Sequence, residues 1–122
     1  MTATPKPVLR DITTRDGHRS AWTGNDSDTL VPQHRQGGMG GRRDKHQLSN
    51  VVWLESDING LIESDPAMAA EARLRGIKIS VHATDPSEVP ILHAVHGLVT
   101  LTNNVNDEHG GVKRIIHRRK EH

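Results

Sequence analysis

A chain of 122 residues with 33% apolar and 25% charged side chains has room for one small domain. Its aromatics are Trp22 and Trp53 alone, so any core is thin and built from Val, Leu, Ile and Ala, which excludes a large catalytic barrel or a doubly wound sheet. Sixteen Lys and Arg against fifteen Asp and Glu leave a net charge of +1, and the absence of cysteine removes disulfides, thiolate catalysis and Cys-ligated zinc.

Residues 1–14 are expected to form a flexible lead. Within it 8–15 could form a short helix, weakened by the β-branched run Ile12-Thr13-Thr14. Asp16-Gly17 and 24–28 are turn signals that bracket Thr29-Leu30-Val31 as a short strand running into Pro32, Gln33 and His34. Next comes a loop with four glycines, Gly37, Gly38, Gly40 and Gly41, flanked by Arg35, Arg42, Arg43 and Lys45. Val51-Val52-Trp53-Leu54 reads as a second strand, followed by a helix in which Ile58, Leu61 and Ile62 share a face and Ser56 or Asp57 caps the start. Asp65-Pro66 opens another helix that Gly76 closes. The alternation in 77–81 predicts a strand, and 89–92 and 98–101 are two more candidates. One domain over 15–108, with a central unit at about 29–64 and a basic tail over 109–122, is the expected organisation. No apolar stretch is long enough for a membrane span and no signal-like segment follows Lys6, so the expected address is cytoplasmic.

Charge is unevenly placed. The segments 35–46 and 113–121 are basic and 55–71 is acidic, a pattern that fits either a polyanion partner or solvated surface. Among the histidines, His34 stands out by position, at a strand end directly before a glycine-rich basic loop. A neutral imidazole there can take a proton from water near pH 7 beside a phosphodiester, or it can be an ordinary surface hydrogen-bonding residue. His93 and His96 have the spacing of a helical metal pair, but Pro90 and β-branched neighbours place them in a strand or loop, which favours a structural role. His46 either touches phosphate or has no part in chemistry.

The run Gln33-His34-Arg35, the loop Gly37-Gly38-Met39-Gly40-Gly41-Arg42, the strand with Asn50 before it, and the segment Ile58-Asn59-Gly60-Leu61-Ile62-Glu63 resemble the HNH endonuclease family, the ββα-metal nucleases, and most of all its small phage-encoded members. The likeness covers about 15–63 and continues more loosely to 101. It implies an α+β fold with a ββα-metal core, a C-terminal helix and a short β-hairpin. It implies a metal-dependent DNA endonuclease in which His34 is the general base, Asn50 orients it and braces the loop, and Gln33 and Asn59 hold the ion. Arg35, Arg42, Arg43 and Lys45 would bind DNA phosphates. Neutral amide oxygens favour a weakly held hard cation, Mg²⁺ first and Mn²⁺ next. Relatives that carry a structural zinc on two Cys-x-x-Cys pairs have their ligands where this chain has Ser20, Thr23, Glu55 and Ile58, so no structural zinc is expected, and Trp22, Trp53 and Ile58 are expected to pack in its place. A phage setting with packaging proteins as partners also follows from the likeness. The alternative is an HNH scaffold that binds DNA or a protein without cutting.

Overall fold

The structure, a computed structural model, describes residues 4–37, 46–82 and 85–115. It is a small α+β protein with three α-helices and two small antiparallel sheets. Helix α1 (Lys6–Asp16) leads into strand β1 (Leu30–His34), which pairs with β2 (Val51–Glu55) in a register that sets Leu30 opposite Glu55 and His34 opposite Val51. Helix α2 (Ser56–Ser64) starts directly after β2, and α3 (Pro66–Leu74) follows one residue later. Strands β3 (Ile91–His93), β4 (Gly97–Leu101) and β5 (Val112–Arg114) form the second sheet in that order.

Both faces of β2 are buried, and its period of two divides the core. Val52 and Leu54 join Ile62 of α2, Ala72 of α3, and Ile77, Ile91, Val99 and Leu101, with Trp22 and Ile58 packed at the edge. Val51 and Trp53 point the other way, onto Ile12, Leu30 and Leu48 with Val8 and Leu9 of α1. Trp53 therefore packs beneath α1, away from Trp22 and Ile58, and does not share the packing role expected of those three together.

The first fourteen residues are not a loose lead throughout, because from Lys6 the chain is helical and Ile12 is wholly buried. Burying one such side chain contributes about 1.5 to 3 kcal/mol, more than the few tenths lost per β-branched residue in a helix. The helix ends at Gly17, whose φ of 69° is left-handed.

Helix α3 is capped by Asp65, whose carboxylate accepts from the Ala67 N–H at 3.0 Å, and Pro66 occupies the first turn. Gly76 then turns the chain at φ 70°, with the Pro90 carbonyl oxygen 2.0 Å from where a Cβ would stand. The segment 77–81 is not a strand. Ile79 makes one parallel bridge with Gln36, and the alternation read from sequence reflects Ile77 and Ile79 being buried between exposed or half-buried neighbours. The region expected as a basic tail begins as β5, so it extends the hairpin to three strands. Among the described residues no helix is long and apolar enough to cross a membrane.

Candidate functional site

The end of β1 is fixed by buried polar groups. Asn50 is fully buried, and its side chain brackets the backbone of Gln36, accepting from the N–H at 2.8 Å and donating to the carbonyl at 3.3 Å. The Arg35 N–H donates to the Asn50 carbonyl at 2.7 Å. Asn50 thus holds the backbone where β1 gives way to the glycine-rich loop.

Arg35 departs from expectation. Its side chain turns inward, is 1% exposed, and donates to the carbonyls of Gly76, Ser49, Pro86 and Val89 at 2.8 to 3.1 Å. Burial pulls the guanidinium down to about 9, with the Arg15 charge adding to the effect, so it stays a cation at neutral pH. A charge removed from water needs such a set of acceptors, and spending them on the backbone makes Arg35 a structural bolt and not a phosphate clamp. Arg42, Arg43 and Lys45 lie outside the described residues.

His34, the last residue of β1, is half-buried, and its Nε2 lies 3.0 Å from His46 Nδ1. The two rings are 5.0 Å apart and tilted, so one hydrogen of the pair is shared between them. From sequence His46 reads either as a phosphate contact or as a residue with no part in chemistry, and a pairing with His34 twelve positions back is neither of these. Gln33 donates its side-chain N–H to the His34 carbonyl at 3.3 Å. Asn59 lies in the first turn of α2, where its buried Oδ1 has no hydrogen-bond partner among the described residues.

A cavity of about 540 Å³ opens beside Gln33 and His34, walled by Ile62 and Glu63 of α2, Arg73 of α3, and 77–81. Asn59, one helical turn before Glu63, does not line it. The cavity therefore brings together Gln33, His34 and the inward-turned Arg35 from the expected set and adds Glu63, Arg73 and Lys78.

Ser20, Thr23, Glu55 and Ile58, where the resemblance alone would put zinc ligands, have other contacts. Ser20 Oγ accepts from the N–H groups of Trp22 and Thr23, and Thr23 donates its hydroxyl to Glu55 at 2.7 Å. Ile58 contributes packing to the core edge. The Arg75 guanidinium lies 4.1 Å from the centre of the Trp22 ring, a cation–π contact that covers this corner.

A second polar centre was hidden from sequence reading by chain separation. Asp16 at the end of α1 meets His93 of β3 at 3.2 Å and His96 at 2.8 Å, and its ligand-capable oxygens and the two imidazoles lie within 4.8 Å of one another. By spacing this cluster could hold a metal ion. Each carboxylate oxygen, however, also receives a bond from Arg15, at 2.7 and 2.6 Å, and Arg15 continues to the carbonyls of Leu48 and Val51. His93 Nδ1 accepts from the Val95 N–H, which puts the ring proton on the Nε2 that faces Asp16. Burial pushes the Asp16 carboxyl up, but the bonds from His93, His96 and Arg15 and the Arg15 charge outweigh it and hold Asp16 far below the usual carboxylate range. Burial pushes the His93 imidazole down, against the pull of Asp16. The result is a hydrogen-bonded ionic network that ties α1 to both sheets. Compared with known proteins, the chain matches no family model, no curated protein and no solved structure.

Proposed function

We propose that this chain is a metal-dependent DNA endonuclease in which His34 is the general base. The observation that carries the reading is the placement of His34 at the end of β1, on the rim of a cavity, with Asn50 gripping the backbone two residues beyond it. The order β1, long connection, β2, α2 is the one the resemblance to ββα-metal nucleases calls for.

In this proposal the unprotonated nitrogen of His34 takes a proton from water as the water oxygen forms a bond to phosphorus. The bond from phosphorus to the leaving sugar oxygen breaks, and that oxygen takes a proton from solvent. Asn50 keeps the turn after His34 from shifting, so the imidazole meets the phosphate in one orientation. By the resemblance Gln33 and Asn59 would hold the ion; Gln33 lines the cavity, and Asn59 stands outside its lining with a buried carbonyl oxygen that has no hydrogen bond among the described residues, as suits a ligand for a hard cation. A bound Mg²⁺ or Mn²⁺ would offset the negative charge that develops on the phosphate. The likeness to phage members extends the proposal to work beside DNA packaging.

One observation favours a second reading, a DNA-binding scaffold that does not cut. The Gln33 amide is turned to the backbone of its own strand, and the expected ligand set has no charge to attract an ion. Nicking of supercoiled plasmid in Mg²⁺ or Mn²⁺ decides between them. Ion-dependent nicking that disappears in His34→Ala supports the endonuclease, and binding without cleavage across both ions supports the scaffold.

A further inference from the structure

We propose that the cavity beside His34 binds the phosphodiester backbone of a nucleic acid strand, and that Arg73 and Lys78 are the cations that hold it. The inference deepens the reading of His34 as the reacting group and supplies the substrate contacts that the buried Arg35 does not make.

Among the described cations near His34, two are available to a ligand. Arg35 has its guanidinium bound to four backbone carbonyls. Arg75 is paired with Glu71 at 2.7 Å and stacked on Trp22, and it does not line the cavity. Arg73 lines it, is exposed, and its guanidinium has no hydrogen-bond or ion-pair partner among the described residues. Lys78 also lines it, and its contact with Glu63 is long, 4.0 Å, between side chains 37% and 58% exposed. A pair that open to water contributes about 0 to 1 kcal/mol, so a phosphate competes for Lys78 at little cost. Among the described residues Glu63 is the one acidic side chain on the lining and offsets a single cation, which leaves the described wall positive. The rest of the lining is largely aliphatic, from Leu54, Ile62, Ile77, Ile79 and Val81, and a low-dielectric wall strengthens the field of the two cations at the mouth. Both cations share the cavity with His34, so a strand held by them runs past the imidazole.

The test is binding of a fluorescent 20-nucleotide DNA duplex to the full chain in EDTA, where cleavage does not interfere, titrated across monovalent salt. The variant Arg73→Gln/Lys78→Gln is compared with Arg10→Gln/Lys113→Gln, which removes the same charge from surfaces outside the cavity. Two lost phosphate contacts reduce the slope of log K against log salt by about 1.8 and weaken binding by up to about 60-fold at 0.1 M salt. The expected result is that loss in the cavity variant alone, with its thermal melt unchanged. Wild-type affinity and slope in the cavity variant, an equal loss in the control, or no DNA binding by the wild type would each overturn the proposal. Binding in EDTA without cleavage in any divalent ion removes the endonuclease and leaves this site standing. Cleavage with an unaltered cavity variant does the reverse.

Discussion

Replacing Arg35 by Met keeps most of its apolar volume and removes the guanidinium that joins β1 to four distant carbonyls, those of Ser49, Gly76, Pro86 and Val89. Hydrogen bonds from a charged donor contribute about 1.5 to 3 kcal/mol each, but these four share one group and do not add. Removing the buried charge also ends its desolvation cost, which offsets part of this, and the loss that remains is that of buried carbonyls left without a donor, about 1 to 3 kcal/mol for each that water does not reach. Small domains have about 5 to 15 kcal/mol in total, and this one has a thin core, so Arg35→Met is expected to lie close to its unfolding threshold at 37 °C. Urea denaturation followed by circular dichroism reads the change as a fall in midpoint. Arg35→Lys keeps the charge but not the planar fork, and its midpoint should fall between the two. A midpoint within about 0.5 kcal/mol of wild type, together with weakened DNA binding, would show that Arg35 works at the surface and refute the structural assignment.

Three further outcomes follow from the geometry. Acid should unfold the protein in a defined order: His93, held by burial below the ordinary imidazole value of about 6.5, gives stability that is present above that pH and is lost as pH falls below it. Asp16, held below the ordinary carboxyl value of about 3.8 by its bonds to His93, His96 and Arg15, adds a loss that starts as pH falls through that value. An Asp16→Asn variant should lack the second phase in a pH series of thermal melts and lose about 3 to 5 kcal/mol at neutral pH, since Arg15 is left buried and unpaired. Gly76→Ala forces a Cβ to within 2.0 Å of the Pro90 carbonyl at a left-handed φ, so a stability loss of about 2 kcal/mol or more is expected by chemical denaturation. Because His93 Nε2 carries its proton toward Asp16, micromolar Zn²⁺ should leave the melting temperature unchanged at neutral pH, and a rise that depends on His93 and His96 would establish a metal centre there instead.

The elements near the candidate site were readable because their signals are local. Asp65-Pro66 and Gly76 bound α3, the continuous apolar run 51–54 marks β2, and Ile58 with Ile62 marks the inner face of α2, while Leu61, expected on that face, is exposed. What sequence could not show depends on groups far apart in the chain. Arg35 reads as one of a row of loop cations, yet its acceptors at Gly76, Pro86 and Val89 lie 41 to 54 residues away. The Asp16 bonds to His93 and His96 span 77 and 80 residues, so no spacing rule connects them. The alternation of 77–81 is a true burial signal but not a strand signal, since a strand also needs a neighbour and among the described residues Gln36 alone bridges to it. His46 could have been noted as the first histidine after the basic loop, where closure of the β1 to β2 connection returns the chain to His34.

The most direct test of the account is the single-turnover rate of DNA cleavage in Mg²⁺ and in Mn²⁺ by the wild type and by His34→Ala at equal folded concentration. A positioned general base accounts for about 10²- to 10⁴-fold in rate, so the account predicts ion-dependent cleavage that falls at least about 100-fold in the variant. Equal rates in the two proteins, or no cleavage by the wild type in either ion, would contradict it.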